Sequence, residues 1–162
     1  MIARLTPSQY KRTPWKNGGG VTVDIVVEGD WRFGRTPITA PGPFSDYSGH
    51  DRLQLLVSGS GLVLETPDSE IDVRRPFHPV RFAGETKIVS RLEAGPVEVV
   101  NLIGRRDAVS LDLHVLPEGK TFAWHGERYP LEPDHALRIE NGRQTIVALM
   151  CGRIVVASIL RR

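Results

Sequence analysis

The chemistry most visible in this chain is a set of nitrogen donors placed beside apolar strands. The run Trp15-Lys16-Asn17-Gly18-Gly19-Gly20 sets a cation and an amide before three glycines, and the apolar segment Val21-Thr22-Val23-Asp24-Ile25 follows. Glycine loses the most backbone entropy on folding, roughly 0.5–1 kcal/mol relative to alanine, so three in succession imply φ > 0 or bare backbone against a ligand. The lysine precedes the glycines and no helical pattern follows, which excludes a phosphate loop. The same run also reads as a turn that leads into a strand. Other donors recur along the chain. Arg32 follows Trp31 at a strand start, Arg52 follows Asp51 just before a very apolar stretch, and Arg105 and Arg106 follow the apolar run 97–103 that contains Asn101. An amide inside a buried strand costs roughly 1–3 kcal/mol if its hydrogen bonds are unmade, so Asn101 either pins a loop or faces a cavity. Arginines at strand ends are commonly solvated, yet their planar forks suit capture of a carboxylate or phosphate.

Other chemistries find less support. The histidines His50, His78, His114, His125 and His135 form no His-x-His pair, and no local spacing makes a metal site, so the expectation is a protein with no metal and no cofactor. His78 reads as a loop residue, and His125 beside Gly126 as a turn. Ser45, Ser48 and Ser58 lack a strand-to-helix elbow, and Cys151 sits in an apolar run with no catalytic partner, which reads as a buried structural thiol. Asp24, Asp46 and Asp51 could include a general base, although a loop carboxylate usually only caps a turn. No catalytic residue is assigned.

These groups must be positioned by strands, because helix signals are scarce. Thr6-Pro7-Ser8-Gln9-Tyr10 could start one short turn. Elsewhere, runs rich in Val, Ile, Leu and Thr predict strands near 21–27, 31–38, 53–58, 61–65, 70–74, 86–91, 96–103, 109–115, 121–124, 137–140, 144–150 and 153–160, with most of the 16 Gly and 12 Pro between them. Many short strands without intervening helices point to an all-β sandwich or barrel. The segments 55–64 and 147–156 both read as strand, glycine turn, strand, an internal echo that favours a double jelly roll. With 162 residues and no visible linker, the chain is expected to be a single domain, a first lobe over about 1–100 and a second over about 101–162 with strands exchanged between them. One cysteine excludes an intramolecular disulfide. A net charge of +2 carried by scattered arginines argues against nucleic acid as a partner. No apolar run is long enough for a membrane span and none resembles a signal peptide, so the expected location is cytoplasmic.

Several motifs together resemble the HutD/Ves family. Trp15-Lys16-Asn17-Gly18-Gly19-Gly20-Val21-Thr22 is similar to its opening motif. Trp31-Arg32, Gly42-Pro43-Phe44-Ser45, Gly49-His50-Asp51-Arg52 and the Leu55 to Leu62 segment follow in the family's order. Phe82-Ala83-Gly84-Glu85, and then Gly95-Pro96 leading to Asn101 and Arg105-Arg106, continue the match, which covers residues 10–106. The resemblance implies a cupin-type bicupin associated with histidine utilisation. It implies a non-catalytic regulatory protein that binds an acidic intermediate such as urocanate or formylglutamate. The ligand-binding residues it implies are Lys16, Asn17, Gly18, Gly19, Arg32, Ser45, Arg52, Asn101 and Arg105. A metal-independent isomerase or epimerase of a polar small molecule, with Asp24 or an unpaired histidine as base, is the alternative. The expected partner is the acidic small molecule, with a homodimer admitted and no membrane or nucleic acid. Three positions depart from the family: Tyr47-Ser48-Gly49 for Phe-Pro-Gly, Phe33-Gly34-Arg35-Thr36 where a Ser and an Ala are usual, and Val99 for an acid. Losing that acid and gaining Arg35 is expected to make the pocket more positive.

Overall fold

The computed structural model describes residues 1–15, 18 and 20–162. Its strands, in chain order, are β1 (Ile2–Leu5), β2 (Lys11–Pro14), β3 (Val21–Val27), β4 (Trp31–Ile38), β5 (Gly42–Pro43), β6 (His50–Ser58), β7 (Leu62–Glu65), β8 (Glu70–Val73) and β9 (Val80–Ala83). They continue with β10 (Val89–Leu92), β11 (Val97–Arg105), β12 (Val109–Val115), β13 (Ala123–Trp124), β14 (Glu127–Arg128), β15 (Ala136–Glu140), β16 (Gln144–Met150) and β17 (Arg153–Arg161). Among the described residues the helix is a single short 3₁₀ segment, Pro7–Gln9, opened by Thr6 with proline at its first position. The all-β class expected from the sequence is therefore the class observed.

Three larger sheets are stacked as layers. A six-stranded sheet, ordered β2-β3-β4-β11-β6-β9, lies in the middle. On one face it meets the four-stranded sheet β5-β10-β7-β8, and on the other the five-stranded sheet β1-β15-β16-β17-β12. This explains the near-continuous apolar runs of β6 and β11, since a strand covered on both faces has no solvent side to make polar. In β6 every residue from Leu53 to Val57 is buried. Alternate residues serve different cores. Leu53, Leu55, Val57, Val100 and Leu102 pack towards the five-stranded sheet, and Leu56, Val97 and Val99 towards the four-stranded one. Backbone pairing is antiparallel throughout the named sheets, with β11 central between β4 and β6.

The expected equivalence of segments 55–64 and 147–156 does not hold. β16 and β17 form a true hairpin in which Met150 faces Arg153 across the turn Cys151-Gly152. β6 and β7, by contrast, lie in different sheets, and Gly59 and Gly61 carry the chain between layers at φ +98 and +104. A Cβ on Gly59 would come within 2.6 Å of the Pro96 carbonyl oxygen, so this corner packs directly on backbone. A second expectation also fails. Cys151 is exposed at its turn with φ +46, because a two-residue hairpin turn puts its first residue outside the apolar strands that flank it. Strands β1, β2, β5, β9 and β14 were not anticipated. They are short edge or hairpin pieces, and β2, Lys-Arg-Thr-Pro, contains no large aliphatic residue to announce it. Among the described residues, no helix is long and apolar enough to cross a membrane.

Candidate functional site

Between the middle sheet and the four-stranded sheet lies a cavity of about 240 Å³. Its floor is set by strand register. Asp24 on β3 stands opposite Gly34 on β4, Gly34 opposite Asn101 on β11, and Asn101 opposite Gln54 on β6. Two positions along, Arg32, Ile103, Arg52 and Phe82 form the neighbouring row. Since side chains two apart on a strand share a face, both rows point into the same space. Gly34 lets β3 pack closely against β4 beside Asp24. A Cβ there would sit 2.6 Å from the Val23 carbonyl oxygen and 2.9 Å from Asp24 Oδ1.

Arg52 is the chemically unusual member of the site. It is only 6% exposed, and its guanidinium carbon lies 5.2, 5.1 and 5.2 Å from the ring centres of Phe44, Tyr47 and Phe82. Its hydrogen bonding is sparse: Nη2 donates to Asn101 Oδ1 at a long 3.5 Å, and the buried Nε has no partner among the described residues. Burial pulls this guanidinium down to about 10, with the Tyr47 charge opposing and the Arg32 charge assisting. No carboxylate among the described residues pairs with it. Three aromatic faces hold the cation through their quadrupoles, yet they do not neutralise it.

Arg32 is neutralised, and by a carboxylate of the same cavity. Its Nη2 donates to Asp24 Oδ2 at 2.9 Å and its Nε to Oδ1 at 3.2 Å, while the Thr13 hydroxyl donates to Oδ2 at 3.0 Å. Burial raises the Asp24 carboxyl above its ordinary range despite the opposing pull of Arg32. A polar chain crosses the sheet beside this pair. Trp15 Nε1 donates to Thr22 Oγ1 at 3.0 Å, the Thr22 and Thr36 hydroxyls share a bond of 3.0 Å, and Asn101 Nδ2 donates to Thr36 at 3.3 Å. Gln54 Nε2 then donates to Asn101 Oδ1 at 2.9 Å, while the buried Gln54 Oε1 has no partner. Asn101 thus links three neighbours, Arg52, Gln54 and Thr36. Asn101→Ala should leave the Gln54 amide without its one partner and lower stability by roughly 1–3 kcal/mol, read as a reduced midpoint in a urea titration.

The HutD family model matches residues 7–131 of this chain. The chain belongs to the HutD family. An uncharacterized 21.2 kDa protein in the hutC 3' region of Pseudomonas putida is 31% identical over 106 residues, which is 61% of this chain and 56% of that protein. The chain thus spans about half the length of that curated relative. Among solved structures, HutD from Pseudomonas fluorescens SBW25 is similar at TM-score 0.79 and 24% identity, over all of both chains. A conserved protein of unknown function from Pseudomonas aeruginosa PAO1 is similar at TM-score 0.81 and 22% identity, over 99% of this chain and 98% of that one. Both show the fold.

In this HutD chain the donors singled out in the sequence do not all meet. Arg32, Ser45, Arg52 and Asn101 line the cavity. Gly18, at φ +75, donates from its backbone to the Trp15 carbonyl at 3.0 Å and does not line it. Lys16, Asn17 and Gly19 lie outside the described residues. Arg105 is elsewhere: it shares the parity of Asn101 and Ile103 but stands at the end of β11, past the cavity lining, and it pairs with Asp30 at 3.2 Å and Asp107 at 3.1 Å. Arg35 does not add charge to the cavity either. It lies one residue out of phase with Arg32 and Gly34, and pairs with Glu98 and with Asp134, the latter at 2.6 Å. Val99, the position without an acid, is fully buried in the apolar cluster beside the cavity.

Gln54, Thr22, Thr36, Ser90, and the aromatic cage of Phe44, Tyr47 and Phe82 were missed. Gln54 carried a readable signal, since it interrupts a leucine run as Asn101 interrupts a valine run. The cage did not, because its rings come from the loop before β6 and from β9. Among the described residues, no group of three or more His, Cys, Asp or Glu side chains is placed to hold a metal ion.

Proposed function

We propose that this protein is a non-catalytic binding protein of histidine utilisation that holds an acidic intermediate of the urocanate or formylglutamate class and acts as a regulator. One observation carries the reading: a buried arginine, caged by three rings, with no carboxylate among the described residues to neutralise it. A desolvated, unpaired guanidinium is costly to the empty protein and becomes favourable when a ligand supplies the counter-charge. The pathway follows from the family and from the hutC 3' region that the Pseudomonas putida relative's name records. Titration calorimetry with urocanate and with N-formylglutamate tests the proposal. At least one should bind with a dissociation constant below about 1 mM, and silence from both would end it.

The same proposal takes the chain as one bicupin domain with lobes over about 1–100 and 101–162. In support, β2–β11 build the two sheets around the cavity, while β12 and β15–β17 build the third with β1 inserted at its edge. One cooperative melting transition is expected, and two separable transitions would contradict it. A second reading, a metal-independent isomerase or epimerase, draws on Asp24, a buried carboxylate of raised proton affinity on the cavity floor. Turnover of a bound acid, abolished by Asp24→Asn, would favour that reading over simple binding.

A further inference from the structure

We infer that Arg106 is a positioning residue for the Arg52 cage: it does not line the cavity, and it sets ligand affinity through the loop that carries Tyr47. This inference rests on the proposed function and deepens it. Residues 44–49, which supply the Phe44 and Tyr47 rings, lie between β5 and β6 with no strand pairing of their own. Bonds from outside must therefore fix their position. At the near end the Phe44 N–H donates to the Ile88 carbonyl at 2.9 Å, and the Tyr47 N–H donates to the Gly84 carbonyl at 3.0 Å. The far end is tied to Arg106. Its backbone N–H donates to the Gly49 carbonyl at 2.9 Å, its Nη2 to the His50 carbonyl at 2.9 Å and its Nε to Asp51 Oδ1 at 2.8 Å.

The same guanidinium clasps a second element. Nη2 also donates to Glu85 Oε1 at 2.6 Å and Nη1 to Oε2 at 3.3 Å, while the Gly49 N–H donates to that Oε2 at 3.4 Å. Glu85 follows Gly84, whose carbonyl takes the Tyr47 N–H, so Arg106 joins the end of β11 to the loop and to the turn after β9. Hydrogen bonds from Arg106 pull the Glu85 carboxyl down to about 2, so the pair stays ionised across the neutral range. Attraction alone is not the point. The two side chains are 41% and 43% exposed, and such a surface pair contributes at most about 1 kcal/mol. The weight lies in geometry, because a planar fork bonded to two carboxylates and a carbonyl admits one orientation. Every partner of that fork stands within four residues of Tyr47 or next to Gly84. The Tyr47 ring centre is 5.1 Å from the Arg52 guanidinium carbon, so a shift of about 1 Å weakens the cage and reshapes the cavity wall.

A double-mutant cycle read by calorimetry tests this, with whichever of urocanate and N-formylglutamate binds the wild type more tightly as the probe. Arg106→Met should weaken binding about tenfold. Arg105→Met removes an equal charge from the adjacent position, but that side chain reaches Asp30 and Asp107 and not the loop. It should cost about twofold or less, which separates positioning from a general loss of positive field. Tyr47→Leu removes the ring through which Arg106 acts. In that background Arg106→Met should cost about twofold or less, because both changes then remove one contact. A role confined to fold stability would leave the two effects independent. Arg106→Met binding as tightly as wild type, an equal loss in Arg105→Met, or an undiminished loss in the Tyr47→Leu background overturns the inference and leaves the proposed function standing. Binding of neither acid to the wild type overturns both. Where Arg106→Met fails to fold, Glu85→Gln runs the same cycle with an expected loss of about threefold, and the same outcomes decide.

Discussion

Arg52→Ala should weaken binding of the acidic ligand by about a hundredfold, near 2.7 kcal/mol. The size follows from the surroundings. A charge-assisted bond at a wet surface contributes little, but this guanidinium is 6% exposed and ringed by Phe44, Tyr47 and Phe82. Arg52→Lys keeps the charge and loses the planar fork, so it should fall between alanine and wild type. The empty protein should respond in the opposite direction. Burial lowers the Arg52 guanidinium from its ordinary value to about 10, which corresponds to roughly 3 kcal/mol against the charged form. Because the folded-state value is depressed, that penalty is complete below pH about 10 and is relieved only as pH rises towards the unfolded value. At neutral pH it applies in full. Arg52→Met, which keeps an apolar stem among the rings and drops the charge, should therefore melt above the wild type without ligand and show no ligand-induced shift. A marked loss of stability in Arg52→Met would mean that the cation is structurally compensated and not waiting for a partner.

Gly84→Ala should have the largest effect on stability. The added Cβ would stand 2.2 Å from the Tyr47 carbonyl oxygen, 2.8 Å from Tyr47 Cβ and 2.9 Å from the His50 carbonyl oxygen. Two of these are backbone atoms and the third is a side-chain stem, so no flexible tip can yield. The same glycine accepts the Tyr47 N–H at 3.0 Å and donates to the His50 carbonyl at 2.7 Å, which seats the loop that brings Tyr47 over Arg52. A cost of roughly 3 kcal/mol would lower the melting temperature by roughly 6–12 °C in a chain of this size. Ligand affinity should fall with it, about tenfold, as one wall of the cage is displaced. Gly29→Ala is the control, since a Cβ there meets nothing within 4 Å. Equal melting temperatures for the two variants would contradict the role given to Gly84.

The local patterns in the chain carried most of the fold class and part of the site. Val109-Ser110-Leu111-Asp112-Leu113 alternates as an edge strand of a half-covered sheet must, and β12 is that strand. The doubly buried runs of β6 and β11 were equally plain. Layer assignment was not, because a glycine corner at 59–61 and a glycine hairpin at 151–152 look alike until their backbone geometry is seen. For the site, the polar interruptions of apolar strands, Asn101 above all, were reliable pointers to the cavity. Arg35 misled because residue type alone does not tell which face of a strand a side chain occupies, and a one-residue step reverses it, whereas Arg105 misled because residue type does not tell how far along a strand the cavity extends. The aromatic cage depends on long-range register between β6 and β9, which no local pattern encodes.

The most direct measurement is a crystal structure of the protein with urocanate bound. It should place a carboxylate oxygen within about 3.2 Å of an Arg52 guanidinium nitrogen, inside the cage of Phe44, Tyr47 and Phe82. An acid seated with its carboxylate away from Arg52, or bound on the outer surface at Arg105, would contradict the assignment.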